Sequence, residues 1–103
     1  MNAPARPAPL IAAGDIPFLP RGVRLEDDRV RGIRVLQAPE RAMQLDAIGD
    51  AILSELDGHR SMAAIARDLA ARYNAPEQRI AGDMRDFLTG LIERRMVFLR
   101  DRP

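Results

Sequence analysis

The chain has 103 residues, enough for a single domain, and its 30% charged and 47% hydrophobic residues are an ordinary globular balance. All 16 basic residues are arginine and 15 acids oppose them, so a formal net charge of +1 gives no bulk attraction for a polyanion. The absence of cysteine excludes disulfides, thiolate nucleophiles, Fe–S clusters and zinc sites built on sulfur. A lone histidine, His59, excludes a multi-histidine metal site, and 4% aromatic residues leave few rings for stacking on bases.

The N-terminal residues carry Pro4, Pro7, Pro9, Pro17 and Pro20, which lack backbone donors and disfavour helix and central strand alike. Residues 1–19 are therefore expected as an extended arm, with Phe18 and Leu19 available to dock. Its longest apolar stretch, Leu10 to Ala13, is too short for a signal-peptide core, and no run of 18 apolar residues follows. The expected location is cytoplasmic, with no membrane contact.

Strand signals open the folding unit. Val23-Arg24-Leu25-Glu26 alternates with period 2, and Asp27-Asp28-Arg29 supplies turn chemistry. Arg31 to Leu36 alternates again, Ala38-Pro39-Glu40 turns, and Arg41 to Leu45 makes a third strand with Met43 and Leu45 on one face. Connections this short predict an antiparallel meander whose first and third strands are edges. From Asp46, a helix cap, the period becomes 3.6: Leu45, Ile48, Gly49, Ile52, Leu53 and Leu56 form one stripe, stopped by Asp57-Gly58. Ser61 caps a second helix with a stripe of Met62, Ile65, Ala66, Leu69 and Tyr73. Asn74-Ala75 breaks it, and Pro76 starts a third helix with Ile80, Met84, Phe87, Leu88, Leu91 and Ile92 inward. Met96 to Leu99 ends that helix or makes a small terminal strand. The expected fold class is α+β and winged-helix-like: a three-stranded antiparallel sheet followed by three helices.

Few residues offer catalytic chemistry. His59 sits in a turn, Ser61 is committed to a cap, and the glycines are scattered singly rather than gathered in a phosphate loop. Asp46, Asp50 and Asp57 read as the cap and solvent face of a helix. No enzyme activity and no cofactor or metal is expected. A winged-helix regulator that reads DNA with its third helix is the alternative function. Against it, that helix carries Asp83 and Asp86 among its bases, which would repel phosphates, so no nucleic-acid partner is expected. The third strand offers another function, because the unpaired N–H and C=O groups of an edge can recruit an extended peptide.

An ordered set of short patterns resembles the PqqD family, coenzyme PQQ synthesis protein D. It comprises Pro20 to Leu25, the Asp28…Arg31-Gly32 turn, Leu36-Gln37-Ala38-Pro39-Glu40-Arg41, Leu45-Asp46, Ile48 and Ala51-Ile52-Leu53. It continues with Leu56-Asp57-Gly58, Arg60-Ser61, Ile65, Leu69-Ala70, Tyr73, Ile80, Asp83-Met84, Phe87-Leu88 and Leu91. The likeness runs over roughly residues 18 to 97 and departs at Arg95-Met96, where many members have a glycine-containing turn. The resemblance implies a peptide-binding domain over residues 20–99, with 100–103 as a tail. It implies a peptide chaperone of pyrroloquinoline quinone biosynthesis. Such a protein binds the ribosomally made precursor PqqA and presents it to PqqE, a radical S-adenosylmethionine enzyme that joins a glutamate and a tyrosine side chain. The peptide would add as a strand between the third strand and third helix. Carried over by position, its site would be Arg41, Ala42, Met43, Gln44 and Leu45, with Ile80, Asp83, Met84 and Phe87 as the opposite wall. The protein is expected as a monomer or weak homodimer.

Overall fold

The computed structural model describes residues 11–100. Its elements are β1 (Pro17–Phe18), β2 (Arg24–Asp28), β3 (Ile33–Ala38), β4 (Arg41–Leu45), α1 (Ala47–Leu53), α2 (Met62–Tyr73), α3 (Glu77–Glu93) and β5 (Phe98–Leu99). The fold is α+β: an antiparallel sheet in the order β2-β3-β4, then three helices, with β1 and β5 pairing separately. Leu36 sits opposite Leu25 and Met43, and Arg34 opposite Asp27 and Leu45. Because side chains alternate across a strand, Arg41, Met43 and Leu45 share the helix-facing side, and Ala42 and Gln44 face away.

The first hairpin shifts from expectation, while at the second only Ala38 moves from turn to strand and β4 keeps its expected bounds. Asp27 and Asp28 belong to β2 rather than to a turn. The turn comes later because the Asp28 carboxylate accepts from the Arg31 N–H at 3.1 Å and the Asp28 carbonyl from the Gly32 N–H at 2.8 Å. The helix caps fall as the sequence predicts. The Asp46 carboxylate accepts from the Gly49 N–H at 2.7 Å, and the Ser61 hydroxyl from the Ala64 N–H at 3.1 Å. Asn74 closes α2 at φ 52°, in the left-handed region that asparagine tolerates.

The first helix ends at Leu53, short of the expected Asp57-Gly58 stop. Its last turn tightens into bonds of three-residue span, Glu55 N–H to Ile52 and Leu56 N–H to Leu53. Beyond it, Arg60 gathers the loop. Its guanidinium reaches Asp57 at 2.9 Å, Asp68 at 2.8 Å, and the carboxylate and carbonyl of Glu55 at 3.1 and 2.7 Å. Glu55 also receives Arg72 at 2.9 Å. Bonds from Arg72, then Arg60, hold the Glu55 carboxyl below its ordinary value. The Arg60 and His59 N–H groups, with the Arg60 guanidinium, hold Asp57 well below the usual carboxylate range.

The core lies where α2 and α3 cover the sheet. Leu36, Leu53, Ile65, Leu69, Met84, Leu88, Leu91 and Val97 are its deepest side chains. Residues 11–19 correct the expected arm, for they are packed into the domain. Ile11, Asp15 and Pro17 are buried. The Asp15 and Ala13 carbonyls accept from the Met62 and Ala63 N–H groups at 2.8 and 2.9 Å, occupying donors that the start of α2 would leave without partners. Phe18 rests 6.3 Å from Phe98, and the Arg100 guanidinium lies 4.3 Å from the Phe18 ring centre. Arg100, the first residue of the expected C-terminal tail, donates its N–H to the Ile16 carbonyl at 2.9 Å and its Nε–H to the Gly58 carbonyl at 3.2 Å. Gly58 stands at φ 78°, a left-handed conformation that favours glycine, and a Cβ there would lie 2.9 Å from the end of the Arg100 side chain, which would have to shift. The rest of the expected arm, residues 1–10, and of the expected tail, 101–103, lies outside the described residues.

Candidate functional site

The site is built on β4. Its two-residue turn, Pro39-Glu40, makes Ala38 and Arg41 a hydrogen-bonded pair across the hairpin. Pairs alternate from there, so Arg41, Met43 and Leu45 spend their N–H and C=O groups on β3. Ala42 and Gln44 direct theirs to the opposite edge. Among the described residues no strand lies on that edge. Arg41, Ala42 and Gln44 are exposed, Met43 is half-buried and Leu45 is buried.

The third helix borders this edge. The Arg41 guanidinium donates to the Arg94 carbonyl at the end of α3, and Arg94 Nη1 approaches the Met43 sulfur at 3.7 Å. One segment further on, Phe87 lies against Gly49: a Cβ there would sit 3.0 Å from the ring. Beyond that, a cavity of about 230 Å³ opens between Ala47, Ile48 and Ala51 of α1, Tyr73 of α2, and Ile80 and Asp83 of α3. Residue 94 therefore lies by 41 and 43, residue 87 by 49, and residues 80–83 by 47–51. The helix runs antiparallel to the β4–α1 segment, forming the wall of a trough that starts at the strand edge and ends in the cavity.

The nine residues expected from the sequence separate into three groups. Arg41, Ala42, Met43 and Gln44 lie on the accessible strand. Ile80 and Asp83 line the cavity, while Phe87 spans the distance between strand and cavity by packing on Gly49. The side chains of Leu45 and Met84, at 7% and 0% exposure, belong to the core; they support the trough from beneath and present no surface to it. Three contributors go unforeseen. Arg94 fixes α3 to β4, and Ile48 and Tyr73, counted among inward stripes by their spacing, stand 64% and 58% exposed at the cavity. The sequence carries a signal for both apolar residues: Ile48 stands at the margin of its helical stripe, and Tyr73 is the last residue of α2, with no following turn to cover it.

Elsewhere the chemistry is structural. His59 lies in an exposed turn, where its N–H donates to Asp57 at 2.8 Å. Among the described residues no group of three or more His, Cys, Asp or Glu is placed to hold a metal ion, and no helix is long and apolar enough to cross a membrane.

Fold and site together define a class: winged-helix-like α+β domains with an open strand edge beside the last helix. The family model for coenzyme PQQ synthesis protein D (PqqD) matches residues 34–97, and the chain belongs to this family. A PqqA binding protein of Rhizobium meliloti (strain 1021) is 49% identical over 90 residues, covering 87% of this chain and 92% of that protein. The bifunctional coenzyme PQQ synthesis protein C/D of Methylorubrum extorquens is 41% identical over 86 residues, covering 84% of this chain and 23% of that larger protein. The solution NMR structure of the PqqD truncation of Methylobacterium extorquens PqqCD, described as a functional and stand-alone recognition element for ribosomally synthesized and post-translationally modified peptides, matches with a TM-score of 0.76. It is 39% identical and covers 86% of this chain and 95% of that one. The crystal structure of PqqD from Xanthomonas campestris matches with a TM-score of 0.53 at 41% identity, over 76% of this chain and 87% of that one.

Proposed function

We propose that this protein is a peptide chaperone of PQQ biosynthesis. It binds the precursor peptide PqqA by adding it as a strand to the free edge of β4, and presents it to the radical S-adenosylmethionine enzyme PqqE. The observation that supports this most is the pair of outward-facing residues, Ala42 and Gln44, on an edge that α3 walls from one side. Backbone pairing there supplies affinity for an extended chain, and the trough supplies selectivity. The role is recognition, with the chemistry left to PqqE. The relatives named as PqqA binding proteins point to the same peptide.

Titration of isotope-labelled protein with the host's PqqA peptide tests the binding step. Amide shifts should concentrate on residues 41–45 and along α3. Shifts confined to the solvent side of α2 or to the outer face of the sheet would overturn strand addition at this edge. Presentation is tested separately: adding this protein to PqqE and PqqA should accelerate crosslinking of the peptide, and an unchanged rate would refute it.

A further inference from the structure

The two ends of the trough differ in chemistry. Where β4 begins, a groove of about 300 Å³ is lined by Arg21, Arg41 and Arg95, with Val23 and Phe98 among its apolar walls. Arg94 stands beside it, its carbonyl bonded by Arg41. Among the described residues none of these four arginines forms an ion pair with a carboxylate, whereas Arg24, Arg31, Arg34, Arg60 and Arg72 all do. Arg29, Arg67, Arg79, Arg85 and Arg100 also lack such a pair among the described residues, but they are dispersed over the hairpin tip, α2, α3 and the residue after β5. Among the described residues, arginines without such a pair converge on one groove at the start of β4. At the other end the cavity beside Ile48, Tyr73 and Ile80 is apolar.

We infer that the bound peptide is read at two points: an acidic side chain held by Arg21, Arg41 and Arg95, and a bulky apolar side chain seated in the cavity between α1, α2 and α3. This rests on the strand-addition reading above and adds to it the peptide's chemistry and spacing. Guanidinium groups pair with carboxylates through forked, charge-assisted bonds. Arg41 belongs to both the groove and the edge strand, so a carboxylate bound there lies in register with a paired backbone. The cavity begins at Ala47 and Ile48, two to three residues past the end of β4. A strand rises about 3.4 Å per residue, so the two side chains stand roughly five to seven residues apart in the peptide. A backbone edge alone accepts any extended sequence; these two anchors set which segment docks, and in which register.

The test uses fluorescently labelled PqqA peptide of the host and the full-length protein. The double variant Arg21→Gln/Arg95→Gln should weaken binding tenfold or more. Changing one acidic peptide residue to its amide should weaken wild-type binding comparably and add little in the double variant, the signature of direct coupling. Ile48→Glu, at an exposed position, should give a similar loss, coupled to an apolar peptide residue five to seven positions away. If wild-type protein binds PqqA and all these changes stay within twofold, the two-anchor inference is wrong while strand addition stands. If wild-type protein does not bind PqqA, the proposed function fails first, and the inference with it. Should the double variant lose its fold by circular dichroism, the peptide substitutions against wild-type protein decide the question alone.

Discussion

Proline placed along β4 separates folding from binding, because the strand alternates between groups used by the sheet and groups left for a partner. Ala42 and Gln44 direct their N–H groups to the open edge; Met43 directs its own into the β3 pairing. Proline removes the N–H and obstructs pairing on that side only, and it is tolerated at edge positions whose donor faces outward. Ala42→Pro and Gln44→Pro should therefore leave the β2-β3-β4 sheet intact. Met43→Pro should break a ladder bond beside the fully buried Leu36 and unfold the sheet. The two outward residues offer four backbone groups. One bond contributes about 1 kcal/mol net, and the ring displaces the neighbouring peptide unit as well. The expected loss in either variant is at least tenfold in Kd, about 1.4 kcal/mol. Fluorescence anisotropy with labelled PqqA reads the affinity, and circular dichroism checks the fold. Normal binding by both folded variants, Ala42→Pro and Gln44→Pro, would refute the strand-edge mechanism.

Other consequences are thermodynamic. Ile11, 5% exposed, should act as a core residue: Ile11→Ala costs about 2 kcal/mol, roughly 10 °C in thermal midpoint for a domain of this size, and an unchanged midpoint would detach residues 11–19 from the core. Arg60→Ala should cost about 1–2 kcal/mol at neutral pH by releasing the loop between α1 and α2, measured by urea unfolding. Because Glu55 and Asp57 have depressed folded-state values, their contribution is full above about pH 4 and fades as pH falls through the folded values. The wild-type midpoint should therefore drop below about pH 4 more steeply than that of the double variant Glu55→Gln/Asp57→Asn, whose amides do not titrate; parallel curves would contradict this. Arg95 stands at φ 61°, so Arg95→Gly should stabilise by about 1 kcal/mol in thermal melts, and a lowered midpoint would contradict this.

Much of this architecture is legible from periodicity. The change from period 2 to period 3.6 at Asp46 locates the strand-to-helix transition, and β4 has the bounds its alternation predicts, Arg41–Leu45. The caps at Asp46 and Ser61 follow from side-chain chemistry alone. What local pattern misses is set by distant partners. The prolines before residue 20 argue for an arm, yet this segment supplies carbonyls to α2 and pairs with β5, contacts that lie more than 40 residues away. Pro17 fits because a two-residue strand at an edge has little need of its missing donor. Arg95 takes up a left-handed backbone that glycine would favour, which its own side chain does not announce. For the site, spacing identifies the strand and one helix face. It does not distinguish Met84, wholly enclosed, from Ile48, which opens on the cavity, since both occupy apolar positions of amphipathic helices.

Hydrogen exchange at single amides examines strand addition most directly. In the free protein the Met43 N–H is held by β3 and should exchange slowly, while the Ala42 and Gln44 N–H groups face an open edge and should exchange fast. Saturating PqqA should slow Ala42 and Gln44 by tenfold or more and leave Met43 nearly unchanged. Saturated binding with Ala42 and Gln44 still exchanging at their free rates would contradict the account.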